Sequence, residues 1–253
     1  MDTSIRQSVH FQDLGKMDYQ AAWDYQEQLL QQNVMVKTLA RNLQDGVLIG
    51  DQFARTTTVP ATAHHLLFVE HPPVYTLGKS GHIENVLISE TEREQKGISF
   101  FRSNRGGDIT FHGPEQLVGY PIFDLECFGT DIGKYLRNLE EVVIRVMADY
   151  GLSGERSEGE TGVWLDPGVH GKERKICAIG VRCSRWITMH GFALNVNTDL
   201  SYFNYIIPCG IQNKQVTSLQ HELGRNVPME EVKERVKFYF EEVFGVTIAE
   251  AAI

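Results

Sequence analysis

The order of hydrophobic patterns along the 253-residue chain is the feature that most constrains its fold. Apolar residues at helical spacing predict helices over residues 19–43, 131–150 and 228–244. Strand patterns precede and separate the last two helices; they occupy residues 64–70, 74–78, 99–125 (three short strands), 162–166, 174–182 and 187–197. This order predicts an α/β (α+β) fold, a mixed β-sheet flanked by helices.

Composition narrows the class of protein further. Hydrophobic residues make up 42% of the chain and charged residues 23%, which is ordinary for a globular protein. No repeat or Gly/Ser/Pro-rich linker interrupts the sequence, so we expect a single domain over residues 1–253. The net charge of −9 disfavours bulk binding to nucleic acid.

Targeting and cysteine patterns indicate a cytoplasmic protein. The first twenty residues lack a continuous apolar stretch and carry early acidic residues, unlike a signal or transit peptide. No run approaches the roughly 18 apolar residues of a membrane span, so we expect no membrane association. The four cysteines show neither CxxC pairs nor zinc-ligand spacing, which favours a reducing compartment and predicts no metal site.

Cys209 is unusual among these cysteines because it lies between a proline and a glycine in IIPCGI (206–211). Proline interrupts regular structure and glycine adopts backbone angles that other residues avoid, so the thiol is predicted to lie on a tight turn. Cys177 and Cys183 fall inside strand patterns, where cysteine is a common buried residue, and nothing singles out Cys127. Cys209 is therefore either a small buried side chain or a presented nucleophile.

A cysteine nucleophile needs a nearby base or cation, because a thiol with a pKa of about 8.5 is mostly protonated at pH 7. His112 and His190, each followed by a glycine, are the usual kind of candidate. Lys175 is a less usual one. By alternation it shares a strand face with Cys177 and Ile179, where a lysine is costly unless it is paired or neutral. The alternative is that Lys175, at the start of its strand, extends to water.

The stretch RGGDITFHGPEQ (105–116) has the most unusual composition in the chain. Two adjacent glycines before β-forming residues indicate that the backbone closely approaches another strand or a ligand. The spacing matches neither a phosphate-binding loop nor a dinucleotide fingerprint. A binding site and a bulged hairpin with a solvated Arg105 are both compatible with the pattern.

Taken together, four motifs resemble the lipoyl(octanoyl) transferase family, the octanoyltransferases of lipoate biosynthesis. The resemblance extends from about residue 13 to residue 219. The motifs occur in the family's order, and they are RGGDITFHGPEQLVGYPI (105–122), KICAIGVR (175–182), TMHGFALNVN (188–197) and IIPCGI (206–211).

The resemblance implies the catalytic fold of biotin and lipoate protein ligases and a catalytic pair formed by Cys209 and Lys175. It also implies three substrate-contacting segments. These comprise Arg105, Gly106, Gly107, Asp108, Ile109, Thr110, Phe111 and His112, then Ala178, Ile179 and Gly180, and finally Gly191, Phe192 and Ala193. Within them, Ile109, Phe111, Ile179 and Phe192 are expected to line an acyl-chain tunnel.

The implied reaction transfers an octanoyl group from octanoyl-acyl carrier protein to a lysine of a lipoyl domain. The implied acceptors are the lipoyl domains of 2-oxoacid dehydrogenase E2 subunits and the glycine cleavage H protein. No cofactor is expected, because the thioester donor arrives activated. Both partners are expected to be acidic, so basic residues should gather at the mouth of the site or else be scattered in solvent; the candidates are Lys79, Arg105, Lys172, Arg174, Arg182 and Arg185.

Two positions depart from the family's commonest pattern, TYHGPGQ. Phe111 lacks the hydroxyl of tyrosine, and Glu115 replaces a glycine. The glutamate matters most if the backbone there requires the left-handed conformation that glycine tolerates.

Other functions remain compatible with the residues. An ATP-dependent lipoate or biotin protein ligase on the same fold would work through an acyl-adenylate without a cysteine nucleophile. A cysteine-dependent hydrolase or amidase would release free acid. A non-catalytic module that binds carrier protein would tolerate replacement of Cys209.

Overall fold

A mixed β-sheet forms the centre of the protein. The computed structural model describes residues 6–44, 61–208 and 215–250. The strands in these ranges are β1 (Gln7–Lys16), β2 (His64–Glu70), β3 (Val74–Leu77), β4 (Ser99–Arg102), β5 (Ile109–His112), β6 (Gln116–Ile122), β7 (Val163–Leu165), β8 (Arg174–Ser184), β9 (Ile187–Asn195), β10 (Gln215–Val216) and β11 (Val246–Glu250). Within the described part of the chain, eight of them form the main sheet in the order β10-β8-β9-β6-β2-β1-β11, with β7 also paired to β8.

Helices cover both faces of this sheet. They are α1 (Tyr19–Gln44), α2 (Glu90–Gln95), α3 (Ile132–Asp149), α4 (Leu219–Leu223) and α5 (Met229–Phe244). The apolar stripe of α1 packs on one face, and those of α3 and α5 pack on the other. This confirms the α/β prediction of a mixed sheet flanked by helices. No helix in the described ranges is long and apolar enough to cross a membrane.

The helix ends follow from sequence chemistry. The side chain of Asp131 caps α3 by accepting a hydrogen bond from the Lys134 amide at 2.9 Å. Gly151 follows α3 with φ +72°, and Gly245 follows α5 with φ +63°. Both glycines adopt the left-handed conformation that ends helices, as their positions in the sequence predict.

A second, smaller sheet stands beside the main one. Its strand order is β4-β3-β5, so β3 lies between the two strands that flank the glycine pair. The hairpin alternative for residues 105–116 is therefore wrong, because β4 and β5 each pair with β3 and not with each other. The connection from β5 to β6 carries the chain from the small sheet into the main sheet.

Sequence patterns missed the two outer strands β1 and β11. They pair in parallel, with Gln7 opposite Val246. Val9 and Phe11 alternate with polar residues and are buried, a period-2 signal that was present in the sequence. Gln26, on α1, is fully buried and accepts a hydrogen bond from the His190 amide at 2.9 Å.

A β-bulge alters the start of β8. Val163 pairs with Cys177, but the next residue, Trp164, pairs with Lys175, so Ile176 is an extra residue on β8. Ile176 and Cys177 are both fully buried in the core against α3. The prediction that Lys175 and Cys177 share one face is therefore wrong, because the bulge reverses the alternation between them.

Candidate active site

A cavity of about 560 Å³ lies along the outer edge of β8, between the glycine pair and β9. This volume falls within the roughly 300–1,000 Å³ of small-molecule sites. In the described chain, β7 and β10 pair with β8 only as far as Cys177, which leaves the edge from Ala178 onward without a neighbouring strand. The cavity therefore has access to both faces of β8.

The structure brings most of the sequence-predicted site residues together around this cavity. Those that line it are Lys175, Arg105, Gly106, Gly107, Asp108, Ile109, Thr110, His112, Ala178, Ile179, Gly180, Gly191, Phe192 and Ala193. Phe111 does not line it. By strand alternation Phe111 points to the opposite side of β5, where its ring stacks on Tyr202 with centroids 4.6 Å apart.

Close backbone contacts explain the glycines of this site. Gly106 donates its amide hydrogen to the carbonyl oxygen of Val181 at 2.9 Å, which ties the glycine pair to the free edge of β8. A Cβ on Gly78, just after β3, would lie 2.2 Å from the carbonyl oxygen of Gly107. A Cβ on Gly191 would lie 2.1 Å from the carbonyl oxygen of Gly119. Only glycine permits strands and loop to pack this closely.

Lys175 lies where the large cavity meets a smaller one. It is 8% exposed, and its Nζ lies 4.5 Å from the ring centroid of Trp164. The smaller cavity, of about 20 Å³, is lined by Lys175, Ala178 and Pro208, among others. The alternative prediction, that Lys175 extends to water, is therefore wrong. The catalytic assignment of Cys209 falls outside the described residues, and Pro208 is the residue directly before it in the sequence.

Two histidines of the cavity wall are held by protein partners. His112 Nδ1 lies 2.9 Å from Gln116 Oε1, and His190 Nε2 lies 2.7 Å from Asn104 Oδ1. Burial holds the pKa of His112 well below its usual value and lowers that of His190 to about 3, with Arg105 adding to both shifts. Both rings are therefore neutral at pH 7.

Strain accompanies His190. Its φ is +58°, a left-handed conformation that is uncommon for a residue with a side chain. The hydrogen bond from its amide to the side chain of Gln26, on α1, stabilises this conformation. Such strain is common where a protein fixes a side chain for function.

The basic residues proposed for the mouth of the site serve different purposes. Arg105 is 7% exposed and donates a hydrogen bond to the carbonyl oxygen of Thr76 at 2.6 Å, so it stabilises the cavity wall and is not solvated. Arg174 is paired with Glu222, and Arg182 with Glu27. Arg185 lies in the turn after β8, at the far end from Lys175. These residues do not form a free basic cluster.

Glu115 does adopt a conformation suited to glycine, with φ +61°. Its carbonyl oxygen accepts hydrogen bonds from the Asn197 amide at 3.0 Å and the Thr198 hydroxyl at 3.0 Å. Its carboxylate accepts a third, from Asn197 Nδ2 at 2.8 Å. Of these three contacts only the one to the carboxylate is unavailable to glycine, and it offsets part of the backbone strain.

Several cavity residues were not predicted from the sequence; they are Tyr19, Val118, Tyr120, Ile132, Leu136, Gly159, Glu160, Thr161 and Val181. The run GETG (159–162) before β7 carried a recognisable signal, since two glycines flank polar residues at a turn. Tyr19 and Tyr120 carried none, because only the packing of α1 and β6 brings them to the cavity. Among the described residues, no group of three metal-ligating side chains is arranged to hold an ion.

The sequence matches a known protein family over most of its length. Residues 18–241 match the family model of the lipoyl protein ligase A/B catalytic domain. The chain is 54% identical over 245 residues to the octanoyltransferase of Flavobacterium psychrophilum, covering 96% of this chain and 100% of that one. It is 55% identical over 241 residues to the octanoyltransferase of Christiangramia forsetii, covering 95% and 97%. The chain belongs to the lipoyl(octanoyl) transferase family.

Solved structures of lipoate protein ligases have the same fold. The bipartite lipoate protein ligase of Thermoplasma acidophilum, described with its E2 lipoyl domain, matches with a TM-score of 0.65 at 16% identity, covering 98% of this chain and 88% of that one. Lipoate-protein ligase A bound with ATP matches with a TM-score of 0.64 at 15% identity, covering 98% and 90%. Membership of the transferase family supports octanoyl transfer in protein lipoylation, an acyltransferase activity.

Proposed function

We propose that this protein transfers an octanoyl group from octanoyl-acyl carrier protein to a lipoyl-domain lysine through a thioester on Cys209. The observation that carries the proposal is the position of Lys175. It lies at the junction of an acyl-sized cavity and a small cavity that Pro208 also lines. Because Cys209 follows Pro208 directly, its thiol is proposed to meet the Lys175 ammonium at this junction.

The other cysteines are poor candidates for the nucleophile. Burial raises the pKa of the Cys177 thiol, and desolvation raises those of Cys127 and Cys183. A thiol with a raised pKa holds little thiolate at neutral pH and reacts slowly. None of these three residues lines the cavity. This favours Cys209 as the site of acylation.

Lys175 is also the preferred partner for the thiol. The neutral rings of His112 and His190 carry no charge with which to stabilise a thiolate. An ammonium beside a thiol favours the charged form of the sulfur. In the first step, the Cys209 thiolate attacks the thioester carbonyl carbon, and the bond to the carrier sulfur breaks. The carrier leaves as a thiol after it takes a proton from the Lys175 ammonium.

The second step restores the enzyme. The amine of the acceptor lysine attacks the carbonyl carbon of the acyl-enzyme, and the bond to the Cys209 sulfur breaks as the amide bond forms. The neutral Lys175 amine accepts the proton that the acceptor amine loses, acting as a general base. Cys209 leaves as a thiolate beside a regenerated ammonium, so the cycle consumes no ATP.

The cavity wall suits a saturated acyl chain. The apolar side chains of Ile179 and Phe192 line it, together with the backbone of Gly180 and Gly191. His112 and His190 each direct a ring nitrogen to a protein partner, which leaves the carbon atoms of the rings to contact the acyl chain. We propose the lipoyl domains of 2-oxoacid dehydrogenase E2 subunits and the glycine cleavage H protein as acceptors. A lipoyl domain accompanies one solved relative of similar fold.

The proposal is tested by mixing the protein with octanoyl-acyl carrier protein in the absence of ATP and measuring its intact mass. We expect an octanoyl adduct on the wild-type protein, mapped to Cys209 by peptide mass spectrometry, and none on Cys209→Ser. Lys134→Ala, a surface change on α3, serves as a matched control and should form the adduct normally. Octanoylation that appears only with free acid and ATP would instead indicate the ligase chemistry that this fold also supports.

A further inference from the structure

A buried carboxylate outside the cavity holds one end of the segment that packs on Lys175. Glu140, on α3, is 0% exposed. Its Oε2 accepts hydrogen bonds from Arg137 Nη1 at 2.6 Å and Arg156 Nε at 3.2 Å. Its Oε1 accepts one from the backbone amide of Gly162 at 3.0 Å. The paired arginines offset the cost of burying the charge, and the remaining oxygen fixes Gly162.

Gly162 lies against the aliphatic stem of Lys175. Its φ is +119°, and a Cβ there would lie 3.4 Å from Lys175 Cε and 2.5 Å from the carbonyl oxygen of Cys177. Two residues later, Trp164 pairs with Lys175 across the sheet and places its ring centroid 4.5 Å from Nζ. The Lys175 side chain is therefore held between two residues of one short segment, 162–164.

The charges of Glu140 and Lys175 act on the same part of β8. Burial raises the pKa of the Cys177 thiol, the Lys175 ammonium lowers it, and the Glu140 carboxylate raises it. Both charges therefore lie within electrostatic range of one atom in the strand. Glu140 itself does not line the cavity. Its direct contact with the site is made through the segment it anchors, by way of the Gly162 amide.

We propose that Glu140 is a positioning residue for Lys175. Its carboxylate fixes the Gly162 amide, and Gly162 and Trp164 in turn fix the direction in which the Lys175 side chain enters the cavity. This inference rests on the proposed role of Lys175 in acyl transfer. It adds a residue of α3, more than thirty positions earlier in the sequence, to the machinery that aligns the reacting groups.

The test compares Glu140→Gln with Glu141→Gln. An amide oxygen at position 140 must serve three donors that two carboxylate oxygens now share, so the hold on Gly162 weakens. Glu141 is the matched control, since it is the next residue on α3 and its carboxylate pairs with Arg145 and Arg156 at the surface. We expect kcat for octanoyl transfer to fall about 10- to 100-fold in Glu140→Gln, because a displacement of about 1 Å has effects of that size. KM for the lipoyl domain should stay within about twofold. Glu141→Gln should match the wild type, because its amide oxygen can still accept from Arg156 and Arg156 keeps its bond to Glu140.

A second readout does not require transfer. Brief treatment with acetic anhydride, followed by peptide mass spectrometry, reports how readily Lys175 is acetylated. We expect several-fold faster acetylation of Lys175 in Glu140→Gln than in Glu141→Gln. If Glu140→Gln does not fold, Arg156→Gln removes one donor to Glu140 and should shift Lys175 acetylation in the same direction.

Equal kcat and equal Lys175 acetylation in the position-140 and position-141 variants would overturn the inference. So would a loss that appears entirely in KM. Failure of the proposed function has a different signature, since wild-type protein would then form no adduct on Cys209 whatever the labelling of Lys175 shows.

Discussion

At the scale of single residues, Lys175 and Glu115 show how local contacts set the chemistry and the backbone of the site. The bulge at Ile176 turns Lys175 away from the core and into the cavity wall, where Gly162 and Trp164 pack on its stem. Glu115 adopts a glycine-like φ and offsets the strain through Asn197. Each residue depends on neighbours that are distant in sequence.

Replacing Lys175 separates the two steps of the proposed cycle. Lys175→Ala should slow both acylation of Cys209 and transfer to the lipoyl domain by about 100-fold or more, because it removes the cation and the base together. Lys175→Arg keeps a cation but cannot act as a base near neutral pH. It should therefore acylate faster than Lys175→Ala but remain as slow in transfer. Single-turnover mass spectrometry measures both rates, and equal acylation rates in the two variants would contradict the proposed role.

At position 115, glycine should give a more stable protein than alanine, which is the reverse of their usual order. Alanine at a left-handed position retains the strain of about 1 kcal/mol that glycine avoids, and neither side chain bonds to Asn197. Glu115→Gly should therefore be more stable than Glu115→Ala by about 1 kcal/mol. Urea denaturation of the two variants measures this difference. An alanine variant as stable as the glycine variant would show that the backbone relaxes out of φ +61°.

At the scale of elements, the site is the meeting place of two sheets. The loop that joins β4 to β5 lies across the end of β3 and bonds to the free edge of β8 through Gly106 and Val181. The cavity lies beneath this contact. Its shape therefore depends on how closely the small sheet approaches the main one.

Gly78→Ala tests this dependence. Its Cβ would lie 2.2 Å from a backbone oxygen, so the loop carrying Gly107 must move. Overpacking of this kind costs about 1–3 kcal/mol, and the displaced wall should reduce kcat/KM for octanoyl transfer. Gly133→Ala on α3 is the control, since its nearest contact is the side chain of Asp131 at 3.2 Å and alanine favours helix. Similar stability and activity in the two variants would mean that the contact is looser than described.

The elements also show what a sequence can and cannot predict about this fold. The helices over residues 19–44, 132–149 and 229–244 were predictable because each has a clear apolar stripe and, for the last two, a glycine end signal. The register of β8 was not, because nothing in KICAIGVR shows that β7 will pair with a one-residue shift. The placement of Phe111 likewise required knowledge of β3, which decides which side of β5 faces the cavity.

At the scale of the whole molecule, buried neutral histidines link stability to pH. Burial lowers the pKa of His71 to about 4 and that of His190 to about 3. Their pKa in the unfolded chain is about 6.5, so the unfolded state binds more protons below that pH. Both rings therefore contribute stability that is present above pH 6.5 and is lost as the pH falls toward 4.

The free energy of unfolding should fall between pH 6.5 and pH 4 by about 1.4 kcal/mol per unit for each of these histidines. His71→Gln should remove one such contribution and give a shallower slope. His71 bonds to Met17 and to Tyr120, which lines the cavity, so the comparison uses the free energy of unfolding and not activity. Chemical denaturation across this range provides the slopes. Identical slopes for wild type and variant would mean that His71 is protonated in the folded protein.

Isolating the acyl-enzyme tests whether Cys209 carries the octanoyl group between the two partners. The octanoylated protein is separated from donor and then mixed with a lipoyl domain in the absence of ATP. We expect the octanoyl mass to leave the enzyme and to appear on the acceptor lysine at a rate no slower than kcat. An acyl-enzyme that only hydrolyses, or that transfers more slowly than steady-state turnover, would contradict it.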